Sequence, residues 1–283
     1  MITIRWPSRA NADASFFDWL AKTEACINAA YGEEIVFTGR LNWFSAELCA
    51  PLGAILHKGL HNLNTYRFDE SVSGEVLKVW AKNGFWEQFG GTTMADEFDT
   101  TLTFARFATS AESTFAKYIQ RELMPKELPQ MNDSSKHRFR NSVQEVFNNA
   151  VLHSNTEHEI FICGQRYPQK DRLSFVISDL GNGIRYKVEE YTGNSWEASD
   201  AIDWAMQEGN TTKRGLTPGG LGLTWLREFI DDNGGVLIIV SQEGYWQRTQ
   251  RNTWKRQLTA PFPGTVVLLD INTQKQSTFG SML

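Results

Sequence analysis

Cysteine is scarce in this chain of 283 residues: there are three, Cys26, Cys49 and Cys163. The number is odd and the spacings match no zinc-ligand pattern, so neither a disulfide framework nor a cysteine metal site is expected. Reduced, buried thiols in a cytoplasmic protein are the economical expectation. Long apolar runs are also missing, and no stretch approaches the roughly 20 residues that span a bilayer. The opening Met-Ile-Thr-Ile-Arg-Trp-Pro carries no apolar core of a secretory signal. Nor is there an excess of positive charge. The formal net charge is −5, which gives no footprint for direct nucleic-acid binding or for an anionic membrane surface. Basic residues gather only locally, at Lys170, Arg172, Arg248, Arg251, Lys255 and Arg256. Internal repeats and low-complexity tracts are lacking. Aromatic residues are plentiful, with 10 Trp and 18 Phe, which predicts aromatic cores. The apolar and charged fractions, 41% and 22%, are those of a globular chain of one or two domains.

The first third alternates strand and helix patterns. Residues 2–6 alternate like a short strand, and 15–30 place Phe16, Trp19, Leu20, Ala25 and Ile27 on one helical face, with Asn11, Asp13 or Ser15 as cap. The run 34–39 is β-branched and aromatic, as a buried strand is. A helix is expected over 46–60 with Pro51 in its first turns. A strand over 64–68 and a helix over 73–83, ended by Gly84, follow. This order predicts a small α/β domain over residues 1–95. A linker or bridging strand is expected over 96–109, and a helix over 113–123. Asp133 or Ser134 would cap the helix that runs to about His153, and strands are expected over 160–166 and 173–178.

The chemistry concentrates downstream. In the helix, Val143, Val146, Phe147, Ala150 and Val151 form an apolar face, while Glu145 and Asn149 stack one turn apart. A carboxylate and a carboxamide so placed suit a hydrated divalent cation and a water molecule. Next comes Asp179-Leu180-Gly181-Asn182-Gly183 at the end of an apolar strand. A carboxylate buried there needs a donor, such as an exocyclic amine, and the glycines permit close approach of a flat ligand. Alone, the same residues read more readily as an ordinary turn. Gly219-Gly220-Leu221-Gly222-Leu223 leads into a helix, whose N-terminal N–H groups suit phosphate oxygens. It matches neither a P-loop nor a Rossmann fingerprint. The intervening 184–218 is expected to hold one helix, over 199–207, and a polar lid with Thr211, Thr212 and Lys213. Gly264-Thr265 opens the last apolar strand.

In this order the set strongly resembles the GHKL (Bergerat-fold) ATPases over roughly residues 110–272. The first 95 residues resemble STAS-like domains, in which a phosphorylatable Ser or Thr opens a helix. Ser45 stands at the comparable position, where it also reads as a helix cap. The resemblance implies a C-terminal α/β sandwich, helices on one face of a mixed sheet, over 110–275, with 276–283 as a tail. It implies ATP and Mg²⁺ as cofactors. Asn149 would hold the Mg²⁺. Asp179, Gly181, Gly183 and Thr265 would serve the adenine. Thr211, Thr212, Lys213, Gly219, Gly220, Leu221, Gly222 and Leu223 would serve the phosphates, and Glu145 would be the catalytic carboxylate. His153, at the end of the helix, is a lesser candidate for the phosphates, and Asn148, on another helical face, for packing. His137 lacks a sensor-kinase phosphoacceptor context, and the chain ends without a transducer domain. The expectation is a small cytoplasmic regulatory ATPase acting on a protein partner, with a homodimer as one possible assembly. An anti-sigma-type Ser/Thr kinase and a non-hydrolysing scaffold are the alternatives.

Overall fold

The computed structural model describes residues 1–68, 72–153, 158–210 and 221–274, with the side chains of His153 and Leu221 left aside. The chain is of mixed α/β class. The first half contains β1 (Ile2–Arg5), β2 (Arg9–Ala10), α1 (Ala14–Asn28), β3 (Glu34–Thr38), β4 (Trp43–Phe44), α2 (Cys49–His61), β5 (Thr65–Phe68) and α3 (Gly74–Lys82). Strands β1, β3 and β5 form a parallel sheet in the order β1-β3-β5. Asp13 caps α1 by accepting from Phe16 N–H at 3.0 Å, and Ser73 caps α3. Ser45 occupies the cap position of a 3₁₀ turn before α2, yet its side chain makes no capping bond and is buried.

The second half contains β6 (Thr101–Phe107), α4 (Glu112–Tyr118), α5 (Asp133–His153), β7 (Ile160–Tyr167), β8 (Arg172–Ser178), α6 (Gly183–Thr192), α7 (Ala198–Ala205), α8 (Leu221–Asn233), β9 (Val236–Thr249) and β10 (Asn252–Asn272). The helix expected over 113–123 is α4 continued by a π-helical turn, Ile119–Leu123. The cap of α5 is Asn132, whose Oδ1 accepts from Ser135 N–H at 2.8 Å, rather than Asp133 or Ser134. Strands β6 to β10 form one sheet in the order β6-β7-β8-β10-β9.

The sheet begins with β6, within the span expected to be a linker or bridging strand. One expectation about it is corrected. It is antiparallel at every pairing rather than mixed. For two of the four pairings the cause is connectivity: β7–β8 and β9–β10 are joined by short turns, which only antiparallel neighbours allow. The β9–β10 turn, Gln250-Arg251, has positive φ at both residues (47° and 67°), the signature of a two-residue hairpin loop.

Side chains alternate across the sheet with a period of two. Ile162, Leu173, Phe175, Ile177, Leu237, Ile239, Val267 and Leu269 face a core completed by Phe139, Val143, Val146 and Phe147 of α5 and by Leu226, Phe229 and Ile230 of α8. Their neighbours Phe161, Cys163, Val176, Ile238, Val240, Val266 and Leu268 face the other way. There they join one continuous core with Phe17, Leu20, Leu52, Ile55, Trp80 and Phe85 of the first half. The N-terminal half is thus the second cover of the five-stranded sheet. A half-buried polar cluster around the fully buried Glu47 fastens it. Tyr167 Oη donates to Glu47 at 2.7 Å, and Arg172 bonds Glu47 at 3.2 Å and Asp270 at 3.1 Å.

Candidate functional site

Helices α5 and α8 pack side by side with opposite direction. Phe139 meets Phe229, Arg138 lies over the Trp225 ring, and Glu145 meets Gly222. A Cβ at Gly222 would lie 2.6 Å from Glu145 Oε2, so glycine there lets the carboxylate rest against the first turn of α8. Asn149 stands one turn farther along α5, level with or past the start of α8. Its Oδ1 is buried and has no hydrogen-bond partner among the described residues. Ser142, one turn before Glu145 on the same side, carries a second buried hydroxyl without a partner. Leaving buried polar atoms unpaired costs free energy, so the Ser142–Glu145–Asn149 stripe is a place where a ligand would be favoured. Asn148 is engaged elsewhere, accepting from Gln144 and donating to Glu112 at 2.9 Å.

The second group lies at one end of the sheet. Asp179 N–H donates to the Thr265 carbonyl at 2.9 Å, which carries the β8–β10 ladder one residue beyond Ser178. By the two-residue alternation, Asp179 then shares the face of Ile177, the face covered by α5 and α8. Thr265 pairs in turn with Ser241 of β9, and their hydroxyls lie 3.2 Å apart. Asp179, Thr265 and Ser241 therefore form a polar row across three strands. Burial pushes the Asp179 carboxyl up to about 7, against the pull of backbone hydrogen bonds from Gly181 and Thr265. The Gly181 N–H donates to its Oδ1 at 2.8 Å.

Two glycines keep this corner open to backbone. Gly183 (φ +78°) begins α6, and a Cβ there would lie 2.8 Å from Ser241 Oγ. Gly264 (φ +90°) lies against the Asp179–Gly181 backbone, where a Cβ would collide with the Asp179 carbonyl. Both carry the positive φ that only glycine adopts without strain. Ser241 ties the pieces together, accepting from Ile184 N–H at 2.8 Å and donating to the Gly264 carbonyl at 3.0 Å.

The structure thus brings Asp179, Gly181, Gly183 and Thr265 to one corner, and Glu145, Asn149 and Gly222 to one helix junction on the same face of the sheet. Thr265 reaches Asp179 through its backbone, and its hydroxyl goes to Ser241. Leu223 packs against the helix-side core and is a packing residue. Leu221 opens α8. Thr211, Thr212, Lys213, Gly219 and Gly220 lie outside the described residues. Ser241 was missed in sequence reading, although a lone serine at an inward position of the run Leu237-Ile238-Ile239-Val240 was its signal.

The group that the sequence pattern implies can be tested against these residues. A carboxamide oxygen left unpaired next to a helix N-terminus suits Mg²⁺ held together with phosphate oxygens, since this ion takes few protein ligands and keeps water or phosphate for the rest. A buried carboxylate among glycines suits a planar base with an amine. The donor set fits Mg²⁺ and a nucleotide. No protein-family model matches the chain, and no match was found among the curated proteins.

Proposed function

We propose that the chain is a Mg²⁺-ATP-binding module of GHKL type, a regulatory ATPase that acts through a protein partner. The observation that carries this reading is Asp179. It is a buried carboxylate that receives only backbone hydrogen bonds, on a glycine-opened corner facing α5 and α8. An adenine amino group would supply the missing donor and draw the carboxyl back to its charged form. Asn149 would hold Mg²⁺, whose charge offsets that of the phosphates. The N-terminal N–H groups of α8 would take phosphate oxygens. Glu145, beside Gly222, would accept the proton of the attacking water. Positioning and charge neutralisation carry most of such a phosphoryl transfer.

The STAS-like reading of the N-terminal half makes a Ser/Thr kinase the second reading. Burial of Ser45 at the cover of the sheet favours a hydroxyl on another protein over one in this chain. No helix among the described residues is long and apolar enough to cross a membrane, which fits a partner met in solution.

Purified protein incubated with Mg²⁺ and γ-labelled ATP, alone and with cell lysate, distinguishes the outcomes. Free phosphate that disappears in Glu145→Ala supports hydrolysis. Label on protein supports the kinase, and binding with neither product supports a scaffold. Unchanged ATP affinity in Asp179→Asn would sink the nucleotide reading altogether.

A further inference from the structure

Two of the three cysteines meet at the seam between the N-terminal half and the five-stranded sheet. Cys49 is the first residue of α2, and Cys163 lies in β7 on the face turned to that half. Both are fully buried and neither is in a disulfide. The Asn83 side chain sits on both sulfurs, its Nδ2 3.3 Å from Cys49 Sγ and 3.5 Å from Cys163 Sγ. The two sulfurs thus flank one amide nitrogen, and the Cys163 thiol also donates to the Leu102 carbonyl at 3.6 Å. Asn83 is itself held in place, its Oδ1 accepting from Phe85 N–H at 3.0 Å. Packing alone does not require two sulfurs at one amide across a seam. Paired thiols can do what paired alanines cannot.

We propose that Cys49 and Cys163 are a redox-modification site, in which hydrogen peroxide oxidises the pair to a disulfide that ties the N-terminal half to the sheet. One thiolate attacks the peroxide oxygen, the O–O bond breaks, and a sulfenic acid and one water form. The second thiol then attacks the sulfenic sulfur and releases a second water, so that two S–H bonds and one O–O bond give one S–S bond and two waters. This inference stands apart from the nucleotide reading. Burial and the neighbouring Cys163 thiol hold Cys49 well above the usual thiol range, while the Asn83 amide favours its thiolate. Thiolate is the nucleophile, so the reaction is slow near neutrality and speeds up with pH.

The test uses the full chain carrying Cys26→Ser, because Cys26 is exposed and would couple molecules. The protein is treated with hydrogen peroxide near pH 7 and near pH 8.5, denatured, alkylated and weighed. The expected result is a loss of ~2 Da, protection of both thiols from alkylation, and a cross-linked peptide pair containing positions 49 and 163. Formation is faster at the higher pH. The oxidised protein melts several degrees higher, since the bond closes a long loop, and dithiothreitol reverses the shift. The proposal is overturned if both thiols remain alkylatable once the methionines are oxidised. Oxygen added to either sulfur without a bond between them overturns it equally.

Discussion

Two aspartates, Asp179 buried and Asp270 half-buried, sit on opposite faces of the same sheet and answer the same problem differently. Asp270, in β10, faces the N-terminal half, and burial pushes its carboxyl up to about 7. Its counter-charge is internal: Arg172 lies 3.1 Å away and also bonds Glu47. Asp179, on the helix-covered face, is pushed equally far, and the pulls that oppose burial come from backbone amides alone. A buried charge without a partner is costly. The Arg172 cluster therefore reads as a structural fastening, complete within the fold. The Asp179 corner reads as a site whose complement comes from outside. Burial and a shifted carboxyl alone do not separate structure from function, but the source of the partner does.

The steepest way to break this comparison is at Gly264. Its backbone conformation and its contact with the Asp179 carbonyl leave no room for a side chain. Gly264→Val is expected to cost more than about 4 kcal/mol or to prevent folding, read from the urea midpoint. Next is the fastening itself. Arg172→Met leaves the buried Glu47 and the half-buried Asp270 without their cation and is expected to cost about 3–4 kcal/mol. The double variant Arg172→Met with Glu47→Gln should recover part of that loss. If Arg172→Met costs less than about 1 kcal/mol, the cluster is not what holds the halves together.

Much of this was legible in the residues, and the exceptions have causes. Apolar alternation placed β7, β8 and the end of β10, and helical spacing placed α5 and α8. The polar stripe of Glu145 and Asn149 and the Asp179 and Gly264 corners stood out because each breaks an apolar pattern. The β9–β10 hairpin did not, because its turn is Gln250-Arg251 and lacks the Asn-Gly that usually announces such loops. Helix α6 was hidden for another reason: of its residues only Gly183 and Val188 are buried, so it has almost no apolar stripe. The mixed sheet failed because strand direction depends on connections, which local patterns do not encode. The shared core was the least legible feature. A strand buried on both faces shows that it is covered twice but not by which segment, and α1 and α2 could equally have covered only their own small sheet.

Asp179→Asn sharpens the comparison through pH. A carboxyl raised in the fold stabilises while protonated, so its contribution is present below about pH 4 and is lost as pH rises through about 7. The wild-type chain should lose about 4 kcal/mol from Asp179 over that window, at ~1.4 kcal/mol for each unit of the shift. Asp179→Asn should be more stable above pH 7 by that amount and unchanged near pH 4, by denaturant titration at each pH. The slope left in the variant belongs in part to Asp270, whose carboxyl titrates in the same window. A variant as pH-dependent as the wild type would show that Asp179 reaches a counter-charge after all, and the contrast between the two aspartates would fail.

The smallest effect on stability is expected at the residue on which the functional reading leans most. Asn149 Oδ1 is already unpaired, so Asn149→Ala removes an uncompensated polar atom together with some packing. The two changes oppose each other, and the net should stay within about 1 kcal/mol. Magnesium-dependent ATP binding, read by calorimetry with and without the ion, should fall at least about tenfold, the effect of losing ~1.4 kcal/mol of interaction. A structural asparagine gives the opposite pattern: a clear loss of stability and affinity that does not respond to magnesium. Neither Arg172→Met nor Gly264→Val can separate these cases, because both act through the fold. Asn149→Ala can, because nothing in the fold depends on the atom it removes.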